Sequence, residues 1–131
     1  MRALHEALMD FWGAFGVPVF VAGHVPDGQA FPYITIEIVQ GDAFSSTVLT
    51  AFNWHKYDPA AEHVGLTMAR RSDLMDEIAR AIPAQGTRLP VDGGFCVLSR
   101  NEADFQTYYD DPEDETVLGG RTSYEIRFYT L

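Results

Sequence analysis

Residues 105–131 constrain this chain most, because they contain two alternating patterns around an acidic run, and alternation with a period of two belongs to a half-buried strand. Phe105, Thr107 and Tyr109 fall on one face of the first segment. In the second, Tyr124, Ile126 and Phe128 point one way, and Ser123, Glu125, Arg127 and Tyr129 the other. Between them Asp110, Asp111, Pro112, Glu113, Asp114 and Glu115 form a tip too charged to bury. Gly119 and Gly120 supply turn geometry in this reading. The expectation is a β-hairpin with an acidic, exposed tip, suited to touching a partner.

Upstream, Leu4, Leu8, Phe11 and Phe15 recur at helical spacing and predict an amphipathic helix over residues 3–15, ended by Gly16 and Pro18. Residues 17–22 read as a short strand, and Pro26, Asp27 and Gly28 as a turn. Ile34, Ile36 and Ile38 alternate with Tyr33, Thr35 and Glu37 in a strand over residues 33–39. A second strand over residues 46–54 sets Val48, Thr50, Phe52 and Trp54 against Thr47, Leu49, Ala51 and Asn53. These two strands are near enough in sequence to pair as a hairpin.

Asp58 and Pro59 give a helix-start signal, yet Gly65 interrupts the pattern after them. The clearer helix runs over residues 68–82, with Met68, Met75, Ile78 and Ile82 on one side and Pro83 as its stop; Ser72 is an alternative cap. Asp92, Gly93 and Gly94 then separate two further strands, residues 89–91 and 95–100. The order predicts one α+β domain over residues 1–131, with two helices on one face of a mainly antiparallel or mixed sheet of about five strands, plus a β-hairpin. The opposite face, with Thr35, Glu37, Glu125, Arg127 and Tyr129, is then left to solvent or to another subunit.

A chain of 131 residues with 47% apolar residues has material for one core and needs no staple. Cys96 is the only cysteine, so no intrachain disulfide forms; a small core residue is expected there. The first residues lack an apolar leader segment and no apolar run reaches a membrane span, which predicts a soluble protein without an export signal.

Charge is the strongest bias. Nineteen carboxylates face eight arginines and Lys56, for a formal net charge of −10, which repels free nucleic acid. Seven acids, from Glu102 to Glu115, fall between Arg100 and Arg121 with no cation among them. Two readings of this run stand: a solubilising loop and a partner-facing edge.

Signatures of chemistry are sparse. His5, His24, His55 and His63 have uninformative spacing; the acidic run lacks the central glycine and alternating ligands of a calcium loop, so no metal centre or cofactor is expected. No nucleophile elbow or phosphate-binding glycine loop occurs, and the expectation is a protein that is not an enzyme. One alternative is a small-ligand or enzymatic site where Trp54, His55, Lys56, Tyr57 and Asp58 gather aromatic, basic and acidic groups.

The helical start, the strand from Phe31 through Pro32, Tyr33, Ile34, Thr35 and Ile36 to Glu37, the strand from Thr47 to Trp54 leading into a helix, and the aromatic strand, Asp-rich turn and final strand at the C-terminus together resemble the tail terminator, or tail completion, proteins of long-tailed bacteriophages and prophages. The resemblance covers nearly the whole chain but includes no catalytic signature, and residues 55–71 depart from its pattern toward other neck or head-completion components. It implies a minor tail or minor capsid protein of the virion, assembled in the bacterial cytoplasm as a hexameric ring. Such a ring caps the tail tube and joins it to the head connector, with the tail-tube protein and connector as partners. The expected partner-facing residues are Tyr108, Tyr109, Asp110, Asp111, Glu113, Asp114 and Glu115, with Arg121 and Arg127 reaching acids of a neighbour. A third possibility is an adaptor that works without forming a ring.

Overall fold

A computed structural model describes residues 2–39, 47–58, 60–82, 86–100, 107–111 and 114–130. Helix α1 is Arg2–Gly13, β1 Val19–Val21, β2 Tyr33–Val39, β3 Thr47–Lys56, α2 Val64–Ala81, β4 Thr87–Val91, β5 Gly94–Arg100, β6 Thr107–Asp111 and β7 Asp114–Thr130. The expected α+β architecture is present, built on one seven-stranded sheet in the order β1-β2-β3-β7-β5-β4. Strand β6 pairs with β7 beside β5, so β5 borders the C-terminal half of β7 and β6 its N-terminal half. Among the described strands only β1 and β2 run parallel; the other pairs are antiparallel.

The alternation read from sequence decides which face is covered. Ile34 and Ile36 of β2 stand beside Asn53 and Ala51 of β3, and Leu49 beside Tyr124 of β7; all point to the helices. Leu4, Leu8 and Trp12 recur every fourth residue on α1 and are all buried there. Trp12 meets Tyr124 edge to face at 5.4 Å. Helix α1 packs against both β1 and β4, the two ends of the strand path, so the sheet curls around it. Cys96 is buried in this core as expected, and burial pushes its thiol up from its ordinary pKa.

Helix α2 departs from its predicted start, and of its predicted face Met75, Ile78 and Ile82 are buried but Met68 is not. It begins at Val64, capped by His63, whose Nδ1 accepts from the Leu66 N–H at 3.2 Å. Asp58 instead closes a turn, its Oδ1 accepting from Ala60 N at 2.9 Å and its carbonyl from Ala61 and Glu62. Ser72 lies inside the helix. The buried stripe is Thr67, Arg71, Leu74, Met75 and Ile78, while Met68 is 45% exposed. Two polar residues displace Met68 from the inner face because Arg71 reaches under β7 and its Nη1 donates to the Gly119 carbonyl at 3.0 Å.

The C-terminal hairpin is confirmed with a shorter connection. Asp110 and Asp111 end β6, Asp114 and Glu115 begin β7, and Asp111 is paired with Asp114. Gly119 and Gly120 are not a turn: they sit inside β7, opposite Trp54 and Asn53. A Cβ at Gly119 would meet the Trp54 ring at 2.8 Å on the open face, and one at Gly120 would collide with the Met75 sulfur on the helix side. Adjacent glycines thus serve opposite faces of one strand. The Asp92-Gly93 hairpin is formed as read, with Val91 paired to Gly94 and Gly93 at φ 87°.

Candidate functional site

Two features stand out beyond the core. The first is the sheet face that neither helix covers. Register places Tyr33, Thr35, Glu37 and Val39 of β2 beside Trp54, Phe52, Thr50 and Val48 of β3, and these beside Gly119, Arg121, Ser123 and Glu125 of β7. Phe52 and Trp54 stack at 5.8 Å between ring centres, and Phe95 stacks on Tyr129 at 5.0 Å with the Arg88 guanidinium 3.7 Å over Phe95. Trp54 Nε1 donates to Thr35 Oγ1 at 3.0 Å. Val39 is 57% exposed and Tyr129 44%, so apolar groups reach solvent here. At one end the loop at Ala22, Gly23 and Val25 joins Tyr33, Thr35, Glu37, Phe52 and Trp54 around a hollow of about 420 Å³.

Of the expected partner-facing residues, Tyr108, Tyr109, Asp110 and Asp111 lie in β6 and Asp114 and Glu115 at the start of β7, whereas Glu113 lies outside the described residues. Arg121 and Arg127 share the uncovered face. Arg127 Nε is 3.0 Å from Glu125 Oε1 on its own strand. Among the described residues β6 pairs only with β7, which leaves its far edge open.

The second feature is a cavity of about 490 Å³ on the helix side, between α2 and the ends of β2 and β3. Val17, Phe31, Pro32 and Leu74 give it apolar walls; the Phe31–Pro32 peptide bond is cis. His55, Lys56, Glu62, Thr67, Arg70, Asp73 and Glu77 supply polar groups. Arg70 Nη1 lies 2.7 Å from Glu62 Oε1, which also accepts from the Thr67 hydroxyl at 3.3 Å. The Lys56 ammonium stands 5.9 Å over the Phe31 ring. His55 is only 5% exposed, and its Nε2 has no hydrogen-bond partner among the described residues. Burial first, then the charges of Arg71 and Arg70, lower its pKa to about 4, so the imidazole is neutral at pH 7.

The five residues that suggested a ligand site are therefore divided. His55 and Lys56 line this cavity, Trp54 is on the other sheet face, and Tyr57 and Asp58 line neither hollow. Strand alternation sends Trp54 and His55 to opposite faces, whereas Lys56 is the last residue of β3 and Tyr57 and Asp58 lie beyond the strand. Of the α2 residues that line the cavity, Arg70, Asp73 and Glu77 have i, i+3 and i+7 spacing that could have marked a common helix face.

Among the described residues no group of three or more His, Cys, Asp or Glu is placed to hold a metal ion, and no helix is long and apolar enough to cross a membrane. No protein-family model and no curated protein matches the chain.

Proposed function

We propose that this chain is a structural assembly subunit of the tail-terminator kind, which forms a ring with its own copies, caps a tail tube and presents a surface to a head connector. The observation that carries the reading is the uncovered sheet face: both helices pack on one side, while the other exposes Val39 and Tyr129 and carries two stacked aromatic pairs. A sheet face of this composition is suited to burial against another subunit. The edge of β6 that pairs with no described strand adds a row of backbone donors and acceptors suited to a neighbouring strand. In this reading the protein acts by shape within a virion, and the β6–β7 hairpin, with Tyr108, Tyr109 and its acids, belongs to the docking surface.

Charge sets the condition for assembly. Copies that each carry −10 repel one another, and this long-range repulsion is screened by salt or magnesium, while apolar contact is not weakened. Size-exclusion chromatography with light scattering across a salt and magnesium series therefore tests the proposal. A discrete ring mass should appear as ionic strength rises or when tail-tube protein is added, and Tyr129→Asp with Val39→Glu should abolish it without unfolding the subunit. A wild-type protein that stays monomeric throughout, including with tail-tube protein, sinks the reading.

A further inference from the structure

The cavity between α2 and β3 has a polarity that the assembly reading does not use. His55 forms part of its buried lining and has a ring nitrogen without a hydrogen-bond partner among the described residues. Native proteins satisfy such groups with protein, water or ligand, and a neutral imidazole nitrogen serves as donor in one tautomer and acceptor in the other. Its counterpart is therefore a neutral group able to do either, such as an amide or a hydroxyl.

The charges differ along the cavity. Glu62 is occupied by Arg70 and by the Thr67 hydroxyl. Asp73 and Glu77, one turn apart on α2, are exposed and have no ion-pair or hydrogen-bond partner among the described residues. The arginines lie close enough to His55 to oppose a positive charge beside it, and Lys56 holds a further cation over Phe31, whereas the two exposed carboxylates on α2 attract one. Between these ends Phe31, Pro32 and Leu74 offer apolar wall to an alkyl chain. The volume, about 490 Å³, lies within the range of small-molecule sites.

We propose that this cavity binds a small aliphatic amine with an amide or hydroxyl at its other end, the ammonium held between Asp73 and Glu77 and the neutral group hydrogen-bonded to His55 Nε2. The proposal is independent of ring formation. Its test is titration of the whole protein with 6-aminohexanamide, hexanamide, which lacks the cation, and hexylamine, which lacks the amide. Binding is followed by calorimetry and by the His55 ring resonances in NMR.

The expected result is saturable binding of 6-aminohexanamide at least about tenfold tighter than either control, since each control gives up one strong polar interaction. Asp73→Asn with Glu77→Gln, both at exposed positions, should weaken 6-aminohexanamide by about tenfold or more and leave hexanamide unchanged. No saturable shift at His55, equal affinity for either control, or indifference to the double substitution would each overturn the proposal.

Discussion

The indole of Trp54 lies directly across from Gly119, its cross-strand partner, so closely that a Cβ on Gly119 would stand 2.8 Å from the ring. Trp54 has little freedom to yield, because its Nε1 bonds Thr35 at 3.0 Å and its ring stacks on Phe52. Gly119→Ala should destabilise the fold by about 1–3 kcal/mol, the usual cost of overpacking. In a Trp54→Phe background, where the second ring is gone, the same substitution should cost less. A double-mutant cycle from urea unfolding checks this, and additive effects would show that the close approach is not what requires glycine.

His55 gives the stability a pH dependence of known sign. Its folded pKa, about 4, lies below the ordinary 6.5, so the unfolded chain takes up the proton first and acid favours unfolding. The contribution is fully present above 6.5, declines as pH falls from there toward 4, and is wholly lost below. Between pH 7 and pH 5 the loss should be roughly 2 kcal/mol, and His55→Gln should flatten that part of the profile. Denaturant midpoints of the two proteins at several pH values provide the measurement.

The residues legible in sequence are those whose role depends on near neighbours. Ile34 and Ile36 announce a strand with one buried face because alternation is local, and the Asp92-Gly93 turn rests on the same kind of signal. Gly119 and Gly120 do not, since a glycine chosen for its missing side chain looks the same as one chosen for its backbone freedom. Trp54 and Met75, which decide the matter, are remote in sequence. Arg71 misleads in the same way: composition assigns an arginine to the surface, whereas it is buried with a bond to the Gly119 carbonyl, far away in sequence. For the cavity, the sequence singles out His55 and Lys56, but the α2 acids opposite them become relevant only once the helix is laid under β3.

His63 starts α2 in place of the usual short polar cap. Its Nδ1 accepts from the Leu66 N–H, one of the donors near the helix start, which also reaches the His63 carbonyl at 3.2 Å. His63→Ala should cost about 0.5–2 kcal/mol by removing the side-chain acceptor and leaving that N–H to the His63 carbonyl alone, whereas His63→Asn should retain the stability. Thermal unfolding of the three proteins, with the helical signal followed by circular dichroism, separates a capping loss from an indifferent surface change. Equal midpoints would mean that the His63 ring contributes nothing to the helix start.

Arg71 links the fold to the state of His55. Its guanidinium sits beneath β7, bonded to the Gly119 carbonyl, and its charge is the second cause, after burial, of the low imidazole pKa. Arg71→Met keeps much of the side-chain volume but removes both the bond and the charge. The His55 pKa should then rise, yet remain below 6.5, because the desolvation that dominates the shift is still in place. Loss of the hydrogen bond from the charged guanidinium should also lower stability by about 1.5–3 kcal/mol. Titration of the His55 ring by NMR in the folded variant reads the first effect independently of the second. An unchanged His55 pKa would mean that the two groups do not sense each other, and a rise to the ordinary value would mean that charge rather than burial holds the imidazole neutral.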